Sequence, residues 1–192
     1  MVIGIILILI VSFRNIYNNT NRDFLYAETC INKVHGEMNN FVYSAMTSRG
    51  LYIKTGTVFP LQYTISIFPT DKINLRYKDQ NNFTGIYLSL DIASGSLESF
   101  YCKNKNYITK LSGDSFNIII NKASVEDQTL PTFTIDNGQE NFSKTTDMYL
   151  CYTGNNCKEI ARFITDIRTQ TIQKKKCILI NKEGTPCLQR DQ

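Results

Sequence analysis

Six cysteines, a single histidine and a run of three lysines are the side chains in this 192-residue chain whose types could do chemistry. The cysteines are Cys30, Cys102, Cys151, Cys157, Cys177 and Cys187. An even number, in a chain that opens on an export-like apolar segment, favours disulfides and an oxidising compartment. The expected pairing is Cys151–Cys157 and Cys177–Cys187 as local staples, with Cys30–Cys102 tying a helix to a sheet; other connectivities stay open. Zinc is the alternative for the last four. Their five and nine intervening residues do not match the short paired-ligand pattern, however, and no histidine follows them.

The remaining candidates do not assemble into a catalyst. His35 lies beside an apolar helical stripe, and without a second histidine neither Cys/His nor Ser/His nucleophilic chemistry has support. No two carboxylates are placed together, which leaves paired-carboxylate hydrolysis unsupported. No glycine cluster could cradle a phosphate. The sequence therefore predicts a protein that is not an enzyme, with no cofactor and no metal. Lys174-Lys175-Lys176 reads as a solvated strand edge that discourages strand addition. Net charge is +4 and the positive residues are otherwise scattered. A nucleic-acid binder concentrates charge on one face and interleaves it with stacking aromatics, so nucleic acid is not an expected partner.

The elements that would position these groups are of two kinds. Met1, Val2, Ile3, Ile5, Ile6, Leu7, Ile8, Leu9, Ile10, Val11 and Phe13 belong to an apolar run that ends at Arg14. It is shorter than the roughly 20 residues of a bilayer-crossing helix, and it reads as the back half of a longer apolar helix or as a processed N-terminus. A polar, Asn-rich stretch, Arg14 to Asp23, follows; its low helix propensity suggests an extended or meltable segment. Then Phe24, Ala27, Ile31, Val34, Met38, Phe41 and Ala45 recur at spacings of three and four, one apolar stripe on a helix. Asp23 suits the start of that helix and Gly50 its stop. The stripe asks for an apolar surface to lie against, either the following domain or a coiled-coil partner.

From Leu51 the period becomes alternating. Leu61 to Ile67, Ile73 to Tyr77, Ile86 to Leu90, Ser115 to Asn121, Phe133 to Ile135 and Met148 to Tyr152 read as short strands separated by turn signals. Ala161 to Asp166 and Gln170 to Gln173 read as a hairpin. The expected fold class is α+β: a long N-terminal α-helix packed on an antiparallel β-sheet head. The expected division is residues 1–50 for the apolar then amphipathic helix and 51–192 for the β head with its C-terminal disulfide region.

This order resembles the type IV pilin and pseudopilin family. The residues that carry it are Met1-Val-Ile-Gly-Ile-Ile-Leu-Ile-Leu-Ile-Val11, similar to the second half of that family's apolar helix. The late Cys151 to Cys157 and Cys177 to Cys187 segments are similar to pilin-like heads. The family's glycine-ended leader and its glutamate at the fifth mature position have no counterpart here, where residue 5 is Ile5. The expectation is that the true start lies upstream or that the subunit is divergent. The resemblance implies a structural subunit of a pilus-like or pseudopilus filament, assembling through residues 1–13 with copies of itself or related pilins. It also implies anchoring in the inner membrane before assembly and display at the cell surface afterwards. Burial of the apolar run would offer well over roughly 10 kcal/mol before entropy costs. The alternative is a membrane-anchored extracellular binding or adhesin module that does not polymerise.

Overall fold

The structure, a computed structural model, describes residues 2–47, 49–68, 72–92, 102–122, 130–136, 143–152 and 157–176, with the helix side chains taken from Arg22 onward. Among the described residues, one helix, α1 (Val2–Met46), leads into eleven strands. These are β1 (Leu51–Ile53), β2 (Gly56–Val58), β3 (Gln62–Phe68), β4 (Lys72–Lys78), β5 (Thr84–Asp91), β6 (Tyr107–Gly113), β7 (Phe116–Asn121), β8 (Thr132–Asp136), β9 (Ser143–Tyr152), β10 (Cys157–Asp166) and β11 (Thr171–Lys176).

Every strand pair is antiparallel. The strands do not form one sheet. They divide into a five-stranded sheet of order β5-β4-β3-β7-β8, a four-stranded sheet of order β11-β10-β9-β6, and the small ribbon β1-β2. This corrects the expectation of a long helix laid on a single sheet: the chain is mostly antiparallel β, and the helical part that packs is the roughly 25-residue segment 22–46. That segment contacts β3 and β7 of one sheet and β9, β10 and β11 of the other. The physical reason is the width of the stripe. Alternating strands give each sheet one apolar face, and a helical stripe of this kind spans a broad enough arc to serve both.

Two further expectations about the helix are corrected. Arg14 to Asp23 is helical, not extended, and Asp23 sits inside α1 instead of capping it. The propensity penalty of Asn and Thr is only about 0.7 kcal/mol per residue or less. Helix propagation between two strongly helical flanks is cooperative and outweighs it. The helix ends at Met46, four residues before Gly50, and its last turn is closed by Thr47 and Arg49 amides donating to the Tyr43 and Ser44 carbonyls at 2.9 and 3.0 Å.

The core is one cluster that unites the helix and both sheets. Ala27, Cys30, Val34, Met38 and Ala45 are fully buried beside Ile65, Ile67, Ile73, Leu75, Ile118 and Ile120 from the larger sheet and Met148, Ala161 and Phe163 from the smaller. Phe41 holds the centre of the larger contact, edge-on to Tyr63 at 5.3 Å and stacked on Tyr87 at 5.6 Å. The Tyr63 hydroxyl donates to the Arg49 carbonyl at 2.9 Å, fixing the chain as it leaves the helix. Burial raises the Tyr63 pKa to about 12, which keeps this donor protonated.

Gly113, which ends β6, has φ +130, and a Cβ there would lie 3.1 Å from the Thr145 carbonyl. Replacing Gly113 with Ala should cost about 1–3 kcal/mol by forcing an L side chain into that region. Phe41→Ala should cost about 3–5 kcal/mol by opening a cavity under both Tyr63 and Tyr87, whereas Tyr43→Ala, exposed on the same helix, should cost well under that. Urea unfolding of the three variants checks the ranking.

Candidate functional site

The residues most constrained by this fold lie along the seam where α1 meets the two sheets. At its N-terminal end the sequence places an acid, Asp23, on the buried side of the helix, where it is only 2% exposed. The segment before β6 supplies its partners: Asn104 Nδ2 donates to Oδ1 at 3.0 Å and Asn106 Nδ2 to Oδ2 at 3.2 Å. Asn104 is itself held, its Oδ1 accepting the backbone amides of Asn106 and Tyr107 at 2.7 and 3.0 Å. A buried carboxylate without donors would be costly. Here each oxygen has one, which turns a liability into a clamp on the 104–107 turn. Burial first, and the Asp23 charge second, raise the Tyr107 and Tyr152 pKa values above the usual phenol range, so neither hydroxyl ionises near neutrality.

Two turns along, the disulfide Cys30–Cys102 joins the same helix face to the same segment, with Cα atoms 4.9 Å apart and a sequence separation of 72. The second disulfide, Cys151–Cys157, staples the end of the β9–β10 hairpin at which β9 leads into β10, with a separation of 6. Both pairings are those expected from the sequence; Cys177 and Cys187 lie outside the described residues. In the chain-entropy account a 72-residue loop contributes about 4.4 kcal/mol and a 6-residue loop about 2.2.

At the other end of the seam an open groove of about 600 Å³ runs between α1 and β11, lined by His35, Asn39, Val42, Tyr43, Met46 and Ile172 among others. His35 Nε2 is 2.8 Å from the Ile172 carbonyl. A carbonyl only accepts, so this nitrogen carries the proton and pins the helix to β11. The ring stacks on Phe163 with centroids 5.8 Å apart, and the Asn39 amide lies 3.1 Å from the same nitrogen. Burial, then the positive Lys174, lower its pKa below 6.5 against the opposing pull of the Ile172 bond. Lys174 is half-buried and donates to Asn32 Oδ1, so the first residue of the lysine run is a helix contact as well as a sheet-edge residue.

Of the helix–head packing residues read from the sequence, Ala27, Ile31, Val34, Met38, Phe41 and Ala45 are buried and Phe24 is half-buried. Val42 and Cys30 share that face, and Asp23 extends it; sequence reading passed over Asp23 as a partner because a carboxylate is not expected inside. The assembly residues Val2, Ile3, Ile5, Ile6, Leu7, Ile8, Leu9, Ile10, Val11 and Phe13 lie on α1, but their side chains, like Met1, fall outside the described set. Among the described residues no helix is long and apolar enough to cross a membrane, and no group of three His, Cys, Asp or Glu side chains could hold a metal ion. At the C-terminal end of the helix, Phe59, Leu61 and Phe83 are exposed around the start of β3 and the β4–β5 turn. There Leu61 bridges Lys78 and Lys122 through backbone hydrogen bonds of 2.8 Å each.

The geometry is that of a fastening, and it yields two checks. Because the folded His35 pKa is depressed, the unfolded chain binds that proton more readily, so stability should be full above pH 6.5 and fall as pH drops below it. Urea midpoints between pH 7.5 and 5.5 should decline in the native chain and flatten in His35→Gln. Removing Cys30–Cys102 by paired Ala substitution should destabilise by about 2 kcal/mol more than removing Cys151–Cys157 the same way.

Compared with protein-family models, with curated proteins and with solved structures, the chain matches none.

Proposed function

We propose that this chain is a structural subunit of a type IV pilus-like or pseudopilus filament, assembled through the apolar N-terminal part of α1 with the β head facing solvent. The observation that carries the reading is the division of labour along one helix. Residues 22–46 of α1 spend their apolar stripe on the head, and the same helix continues N-terminally to Val2 through a run of Ile, Leu and Val. Phe13 precedes the Asp23 clamp by ten residues, about 15 Å of helix. An apolar rod set off from its own head by this distance suits packing against the rods of other copies. Related by a non-closing operation, such contacts build a fibre instead of a ring. The partners in this reading are copies of the chain or related pilins, with the membrane as the site before assembly; no catalytic role and no nucleic-acid ligand are part of it. The two disulfides fit an oxidising, extracytoplasmic setting.

A second reading, a membrane-anchored binding module that does not polymerise, draws on the exposed Phe59, Leu61 and Phe83. They stand where α1 delivers the chain to the sheets, about 66 Å of helix from Val2, a position suited to meeting a partner.

Deleting residues 1–13 separates the readings. The truncated protein should keep its β-sheet far-UV signal, with the helix signal lowered by the residues removed, and its disulfides, yet form no filaments by electron microscopy when expressed with its assembly machinery. Filaments built from the truncated subunit would overturn the assembly role of the run. A full-length chain that reaches the surface but stays monomeric by crosslinking would favour the binding module.

A further inference from the structure

We propose that the Cys151–Cys157 disulfide is a thiol-exchange site, at which a low-molecular-weight thiol attacks Sγ of Cys157 while Cys30–Cys102 stays closed. The two bridges have opposite surroundings. Cys30 and Cys102 are each 0% exposed, held under the seam by the Asp23 clamp and the Thr109 hydroxyl, which donates to the Cys102 carbonyl at 2.5 Å. A thiolate reaches that bridge only if the helix lifts. Cys157, by contrast, is exposed as the first residue of β10, while its partner Cys151 is 4% exposed.

Exchange at a disulfide requires the thiolate to approach the attacked sulfur from the side opposite the sulfur that leaves. The burial difference confines this approach to Cys157. The incoming sulfur forms a bond to Cys157 Sγ, the bond between the two cysteine sulfurs breaks, and its electron pair leaves on Cys151 Sγ. That thiolate takes a proton from water. One thiol is consumed and one is released, so no outside oxidant is needed. Lys158, exposed beside the attacked residue, favours an anionic thiol.

The sheet makes the step reversible. Cys151 and Cys157 face each other in the β9–β10 register with Cα atoms 4.0 Å apart. The ladder continues from Lys158 opposite Leu150 to Asp166 opposite Ser143, and β6 and β11 flank it on either side. Opening the bridge therefore leaves the strands paired and keeps Cys151 opposite Cys157, where its thiol can displace the adduct and close the bridge again. Cys157 is the acceptor and Cys151 the resolving thiol.

The test treats the folded, fully oxidised full-length chain with reduced glutathione at pH 8, quenches aliquots with acid and N-ethylmaleimide, and maps the peptides by mass spectrometry. Cys151–Cys157 should open on the order of tenfold faster than Cys30–Cys102 or more, with glutathione on Cys157 and maleimide on Cys151. In Cys151→Ser, oxidised glutathione should load Cys157 and the adduct should persist, since nothing resolves it. Equal rates for the two bridges, prior opening of Cys30–Cys102, glutathione on Cys151, or no opening without denaturant would each overturn the proposal.

Discussion

The apolar stripe of α1 between Ala27 and Ala45 is the surface on which the rest of the molecule depends. A sheet with one apolar face is not stable alone in water, and this chain makes two such sheets of different width. Both turn that face to the same helix. Ile65 and Ile118 come to it from the larger sheet, Met148 and Phe163 from the smaller, and all four are in one core with Val34 and Met38. The helix thus joins the sheets into one core, and loosening it would expose both faces at once.

Polar groups on this seam act as locks because each has a partner, Asp23 buried and His35 half-buried. Asp23 has a donor for each oxygen. His35 gives its Nε2 proton to the Ile172 carbonyl, which belongs to β11, the strand at the end of the smaller sheet's order. Apolar packing alone does not specify register along a helix with a regular three-four repeat, since a slip by one repeat presents a similar face. A carboxylate that must meet Asn104 and Asn106, and a cysteine that must meet Cys102, remove that degeneracy at one end. The imidazole does so at the other.

Legibility in the sequence followed the purity of each pattern. The stripe from Phe24 to Ala45 and the strands around Ile65, Leu75 and Ile118 were readable because apolar residues repeat without interruption at the right period. Strand β6 was not, because its buried face is Tyr107, Thr109 and Leu111, with a threonine at its centre. The first half of β9 was missed for the same reason: Thr146 is the inward residue there. Threonine inside and threonine outside look alike in a string of letters. The division into two sheets was also hidden, since local alternation fixes which residues face inward but not which strands pair. Asp23 read as a cap because its type favours helix starts; only the distant Asn104 and Asn106 show that it belongs inside. The seam's disulfide was legible as a pairing of Cys30 with Cys102, but the reason it sits there was not.

In the filament reading proposed above, that reason is where force would enter the head. In a subunit pulled along its helix, tension arrives from the N-terminal side and meets the head first at Asp23, then at Ala27 and Cys30. Apolar contacts resist such peeling one residue at a time, each worth about 1.5–3 kcal/mol for a large side chain. Peeling residue by residue therefore defeats the stripe even though its total burial is large. A covalent bond at Cys30, seven residues past the Asp23 clamp, puts the strongest link at the front of the seam and leaves the weaker contacts, Met38 to Ala45, behind it. The His35 contact then lies in the protected part. A reducible bridge is better placed at the β9–β10 hairpin end, where opening it leaves the seam closed. In that reading the two disulfides would divide these tasks by position: Cys30–Cys102 is buried where the load would enter, and Cys151–Cys157, the bridge proposed to open, stands at a hairpin end whose strands are paired along their length.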